Sequence, residues 1–112
     1  MRNPRNVTEL EAGYNYLIPS YKVTNEGIQE HGDAQIWFCR GDKIDESKPR
    51  QEGFFVESLL EVCKQRLLAV NKGDLANLDT AVAITKIEEA IMWLEKRQSD
   101  RKVRGVEGTY QK

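Results

Sequence analysis

Apolar positions change their period once along this chain, near residue 56. Before that point they come in short clusters divided by turn formers: Tyr14-Asn15-Tyr16-Leu17-Ile18 ahead of Pro19, then Tyr21-Lys22-Val23, then Gly27-Ile28-Gln29, then Ala34-Gln35-Ile36-Trp37-Phe38-Cys39. Short runs rich in aromatic and β-branched residues, punctuated by Gly, Pro, Asn and Asp, predict strands. A small antiparallel sheet follows, its best hairpin pairing the segment around Ile28 with Ala34 to Cys39 across a turn at His31-Gly32-Asp33. Residues Arg40 to Gln51, with Gly41, Pro49 and several charges, predict a surface loop.

From Phe54 onward the period is helical. Leu59, Leu60, Cys63, Leu67 and Val70 fall on one stripe, widened by Val62, Leu68 and Ala69, and predict a helix from about Glu57 to Asn71. Asn71-Lys72-Gly73 supplies a stop, since Gly73 can take the left-handed conformation common at helix ends. A second helix starts near Asp74 or Asn77, either a good cap, and carries Ala81, Ile84, Ile87, Ile91 and Leu94 inward. With no Gly or Pro before Gly105, it extends to Arg104. So short a turn forces the helices antiparallel. The fold class is α+β in a single domain 1–112: a β-rich part over 1–56, then a helical hairpin with a C-terminal tail over 57–112.

Lengths then matter. Helices of roughly 15 and 28 residues span about 22 and 42 Å. Counting back from the turn sets the start of the first helix beside Ile91 and leaves about Met92 to Arg104 unpaired. Apolar groups there need cover, and a thin core makes another copy of the chain the economical source, so a homo-oligomer is expected.

Composition narrows the function. The 112 residues carry 17 Lys plus Arg against 18 Asp plus Glu. Positive and negative charges number 7 and 9 over residues 1–56 and 10 and 9 over 57–112, so net charge draws the chain to neither nucleic acid nor anionic membrane. No apolar run long enough for a membrane span or signal peptide occurs, which predicts a cytoplasmic protein. Cys39 and Cys63 have no metal-ligand spacing and are read as small buried apolar side chains. Lone His31 has no visible partner, Ser58 and Ser99 have no histidine near them in sequence, and no Gly-rich phosphate loop is present. The sequence offers no catalytic constellation, cofactor motif or metal site, and favours a binding protein over an enzyme.

What chemistry there is lies in Trp93-Leu94-Glu95-Lys96-Arg97-Gln98-Ser99-Asp100-Arg101-Lys102-Val103-Arg104-Gly105. At helical spacing Trp93, Arg97, Arg101 and Arg104 share an arc of roughly 80°. Guanidinium groups offer planar forks for phosphate, and Trp offers a stacking surface for a base. The plainer reading is a solvated basic helix end, favoured by the dipole and tied by pairs such as Lys96 with Asp100.

Asp79-Thr80-Ala81, Ile84 to Ile87, Glu89-Ala90-Ile91-Met92-Trp93-Leu94, Arg97, Asp100-Arg101 and Arg104-Gly105-Val106-Glu107-Gly108-Thr109 together resemble the helical-hairpin domain shared by two phage immune-evasion families. These are Thoeris anti-defence protein one and anti-CBASS protein two. The resemblance covers roughly residues 54 to 110, and a strand-rich first half points to the Thoeris type. It implies a phage-encoded sponge in the host cytoplasm. Such a protein is not an enzyme; it sequesters cyclic ADP-ribose isomers without degrading them and assembles from dimer to hexamer. Cyclic di- or trinucleotides of CBASS immunity are the alternative ligands, and a purely structural interaction protein is the alternative class. Carried onto this chain, Arg97 and Arg101 hold a pyrophosphate, Arg104 with Gly105 to Thr109 closes the site, Trp93 and Met92 pack base or ribose, and Asn77 reaches in from another subunit.

Overall fold

A computed structural model describes residues 2–41, 46–48 and 51–103, which divide into two compact units, Met1–Phe54 and Phe55–Lys112. The layout is α+β: a three-stranded antiparallel sheet, then two helices.

In the first unit β1 (Thr8–Glu11), β2 (Asn15–Thr24) and β3 (Gly27–Trp37) lie side by side in chain order. The expected turn at His31-Gly32-Asp33 is not a turn. β3 runs straight through it, and the chain reverses instead at Thr24 to Gly27. There Thr24 Oγ1 accepts the Glu26 N–H at 3.1 Å, and Gly27 supplies the positive φ of 104° that a tight reversal needs. His31-Gly32 form a bulge: pairing shifts between Pro19↔Asp33 and Tyr21↔Glu30, so two residues of β3 oppose Ser20. Gly32, at φ 71°, takes the strained position.

Beyond β3 the chain stays pinned on either side of the segment predicted as a loop. Phe38 N–H bonds to Tyr14 O at 2.8 Å, while Phe54 N–H reaches Trp37 O at 2.8 Å and Cys39 N–H reaches Phe54 O at 3.1 Å. Gly53 is required in this pairing, because a Cβ there would stand 2.4 Å from the Trp37 carbonyl oxygen. Tyr16 and Phe38 meet edge to face with centroids 6.1 Å apart.

The second unit is a helical hairpin, α1 (Val56–Val70) and α2 (Leu78–Val103), joined through a 3-10 turn at Gly73–Leu75. Both helices fall within a residue of expectation where described. Gly73 has φ 55°, and the cap of α2 is Asn77, whose Oδ1 accepts the Thr80 N–H at 2.8 Å. Asn71 Oδ1 accepts the Asn77 N–H in turn at 2.9 Å, closing the connection. Leu60, Leu67 and Val70 face inward with Ala83, Ile84, Ile87, Ala90, Ile91 and Leu94, and Ile91 is the most buried of them. Ala81, expected inside, is exposed, and Ala83 takes its place. Cys63 is exposed and Cys39 half-buried, correcting the reading of both as buried; two helices give each other a single inner face, and Cys63 is not on it.

Candidate functional site

The antiparallel pairing of the helices fixes what α2 presents. Lys64 Nζ donates to Glu88 Oε2 across the hairpin at 2.7 Å, and Glu57 in the first turn of α1 lines a groove with Glu95, Gln98 and Ser99. So the first turn of α1 lies level with about Glu95 of α2. The expected overhang from Met92 is therefore too long. Lys64 opposite Glu88 and Glu57 beside Glu95 place the pairing about one turn nearer the C-terminus of α2 than counting from the turn suggests.

Trp93 and Arg97 stand one turn apart and both are exposed, Trp93 by 63% of its surface. For a large aromatic ring on a helix whose inner stripe is covered, that exposure sets Trp93 apart from core packing. Arg97 has no carboxylate partner among the described residues. Its neighbour Lys96 is engaged, donating to Asp100 Oδ2 at 2.9 Å in an i,i+4 pair. The plain reading of this basic stretch thus describes Lys96 but not Arg97. Arg101 belongs to α2; Arg104, Gly105 and Thr109 lie outside the described residues.

Two candidates are not brought to this face. Met92, 61% exposed, turns to the other flank of α2 and lines a groove of about 450 Å³ with Lys64, Leu68, Ile84, Thr85, Glu88 and Glu89. Asn77 caps the opposite end of the helix, about 30 Å from Arg97 at 1.5 Å per residue. Within one chain, Trp93 and Arg97 are thus the two candidates among the described side chains that share an exposed face.

Sequence reasoning did not mark the charges that hold the hairpin in register. Lys64 lies between Glu61, at 3.0 Å, and Glu88. Hydrogen bonds to both carboxylates, Glu88 first, hold its ammonium above the ordinary value of 10.5. Glu61 accepts from Gln65 Nε2 at 3.0 Å and from Lys64, and is held below its ordinary 4.5. The signal available was Lys64 at i,i+3 from Glu61, on the half-buried side of α1. Arg40 was also missed: it is 3% exposed, with its guanidinium 4.3 Å from the Tyr14 ring and an ion pair to Glu11. A charge following an apolar run gave no hint of that burial.

Among the described residues no group of three His, Cys, Asp or Glu side chains is placed to hold a metal ion, and no helix is long and apolar enough to cross a membrane. Comparison with known proteins bears on the hairpin. The family described as Acb2/Tad1, hairpin domain, matches residues 42–99. Thoeris anti-defense 1 of Bacillus phage SBSphiJ7 is 43% identical over 60 residues, which are 54% of this chain and 42% of that protein. The chain thus aligns with less than half of its relative's length. The family match takes in Asn77, Met92, Trp93 and Arg97 and ends before Arg101.

Proposed function

This chain belongs to the Acb2/Tad1 hairpin-domain family, and on that ground we propose that it is a phage anti-defence protein, a sponge that binds a cyclic ADP-ribose isomer of the Thoeris system and withholds it without degrading it. The observation that carries the reading is the exposed pair Trp93 and Arg97, one helical turn apart within the matched region. A flat ring and a guanidinium with no carboxylate partner among the described residues suit a ligand made of a base, riboses and a pyrophosphate.

Arg97 and Arg101 hold the pyrophosphate in this scheme, with Arg104 and Gly105 to Thr109 closing over it. Enclosing two phosphates away from water costs several kcal/mol unless each is paired, and charge-assisted bonds from the arginines offset that cost. Trp93 stacks on the base. Met92 lies on another flank of α2 and Asn77 at its opposite end, so in this scheme their contribution comes from a neighbouring subunit. The site is thus completed by homo-oligomerisation, between two and six copies. Sequestration works by stoichiometry, so the dissociation constant must lie below the concentration of the signal.

The experiment is a thermal-shift screen against cyclic ADP-ribose isomers and cyclic di- and trinucleotides, repeated with Arg97→Ala/Arg101→Ala. The wild type gains melting temperature with a cyclic ADP-ribose isomer, and the double variant binds it about 100-fold or more weakly, as loss of two charged hydrogen bonds requires. A double variant that binds as tightly as the wild type places the site elsewhere. A shift with cyclic di- or trinucleotides alone assigns the ligand to CBASS-type signals.

A further inference from the structure

We propose that the cleft at the end of β3, in the N-terminal unit, binds a planar organic cation and is shaped for a guanidinium group. The cleft has a volume of about 540 Å³ and is lined by Gln35, Trp37, Glu52, Gly53 and Phe54. It is distinct from the Trp93 and Arg97 face and does not depend on the function proposed for that face.

The cleft is built by the backbone. Residues Trp37 and Phe54 are tied by the 2.8 Å bond from Phe54 N–H to the Trp37 carbonyl, and Gly53 packs so closely against that carbonyl that no side chain fits. This holds the two aromatic residues in fixed register on neighbouring segments. Phe54 nonetheless remains 49% exposed, a large ring left beside a concave surface.

Polarity then selects the ligand. The faces of Trp and Phe rings are electron-rich and attract cations. Glu52 adds a carboxylate, which has about four acceptor positions and so can take a ligand beside any bond it makes within the protein. The Nε2 of Gln35 is committed to Asn15 Oδ1 at 2.8 Å, and its carbonyl oxygen is the end left to accept. All three features favour a positively charged donor of N–H bonds. Among the described lining residues there is no lysine or arginine to attract a phosphate or carboxylate ligand. A guanidinium is preferred over an ammonium because it stacks flat on an indole while its N–H fork meets a carboxylate in plane. A free arginine-like metabolite and an arginine side chain in a polypeptide present the same group.

The chain has two tryptophans, Trp37 and Trp93, so Trp93→Phe makes Trp37 the sole indole reporter. This full-length variant is titrated with Nα-acetyl-arginine methylamide, free L-arginine, adenosine and inorganic phosphate while indole fluorescence is followed. The expected result is a saturable change with a guanidinium ligand and none with phosphate. Glu52→Gln weakens it about fivefold and Phe54→Leu about threefold, both with unchanged circular dichroism. Tighter binding of the methylamide assigns the source to a polypeptide arginine; binding of free arginine at least as tightly assigns it to a metabolite. Linear quenching without saturation overturns the proposal, as does indifference to Glu52→Gln or equal binding of adenosine. Because the reporter lacks Trp93, failure here leaves the sponge reading intact, and failure there leaves this one.

Discussion

Arg40 shows how much a single side chain does in a unit with so little core. It is buried between the Tyr14 ring and the Glu11 carboxylate and so ties the segment after β3 to the β1–β2 turn. Arg40→Ala removes a cation–π contact and strips Glu11 of its partner. Because Glu11 remains partly in water, the expected loss is about 2–3 kcal/mol, read as a lower urea midpoint. Gly53→Ala forces a methyl into the Trp37 carbonyl and costs about 1–3 kcal/mol in the same assay. Asn77→Ala frees the Thr80 N–H at the start of α2 and costs about 1 kcal/mol. That variant also separates roles: a loss of ligand affinity in an assembly of unchanged size and fold assigns Asn77 a contact beyond its cap.

At the scale of elements, the helices were legible and the hairpin turn of the sheet was not. Fifteen residues of α1 repeat the helical period often enough to outweigh any local ambiguity, and Asn77 announces the start of α2 by its chemistry. His31-Gly32-Asp33 has the composition of a turn, yet the same residues serve a bulge; which one forms depends on whether pairing resumes beyond them, and nothing local records that. Trp93 and Arg97 were legible as a shared face because i,i+4 spacing fixes it. The separation of Met92 was equally fixed by spacing, while the burial of Arg40 rests on Glu11, 29 residues away. The register of the hairpin depends on Lys64, which yields a dependence on pH. Glu61 is held below 4.5, so its charged form stabilises the fold; that contribution is complete above 4.5 and is lost as pH falls through the lower folded value. Lys64 is held above 10.5, so its contribution is complete below 10.5 and is lost as pH rises through the higher folded value. Thermal melts across pH should show the hairpin weakening at both ends; Lys64→Met should flatten the alkaline arm and only reduce the acid one, which the Gln65 bond to Glu61 also sustains.

For the molecule as a whole, a helical hairpin with one inner face leaves Val62, Leu78, Val82, Met92 and Trp93 exposed. The proposed assembly covers part of that surface and brings Met92 and Asn77 of one copy toward the arginines of another. Size-exclusion chromatography with light scattering should then give an oligomer, and a monomer that still binds ligand would remove the need for a shared site. A sponge retains its ligand without chemistry. The measurement is to incubate the protein with a cyclic ADP-ribose isomer, remove unbound ligand by filtration, denature with heat, and identify what is released by mass spectrometry. Sequestration releases intact cyclic ADP-ribose isomer, retained in proportion to protein; a hydrolysed product, or a filtrate holding all the ligand, contradicts it.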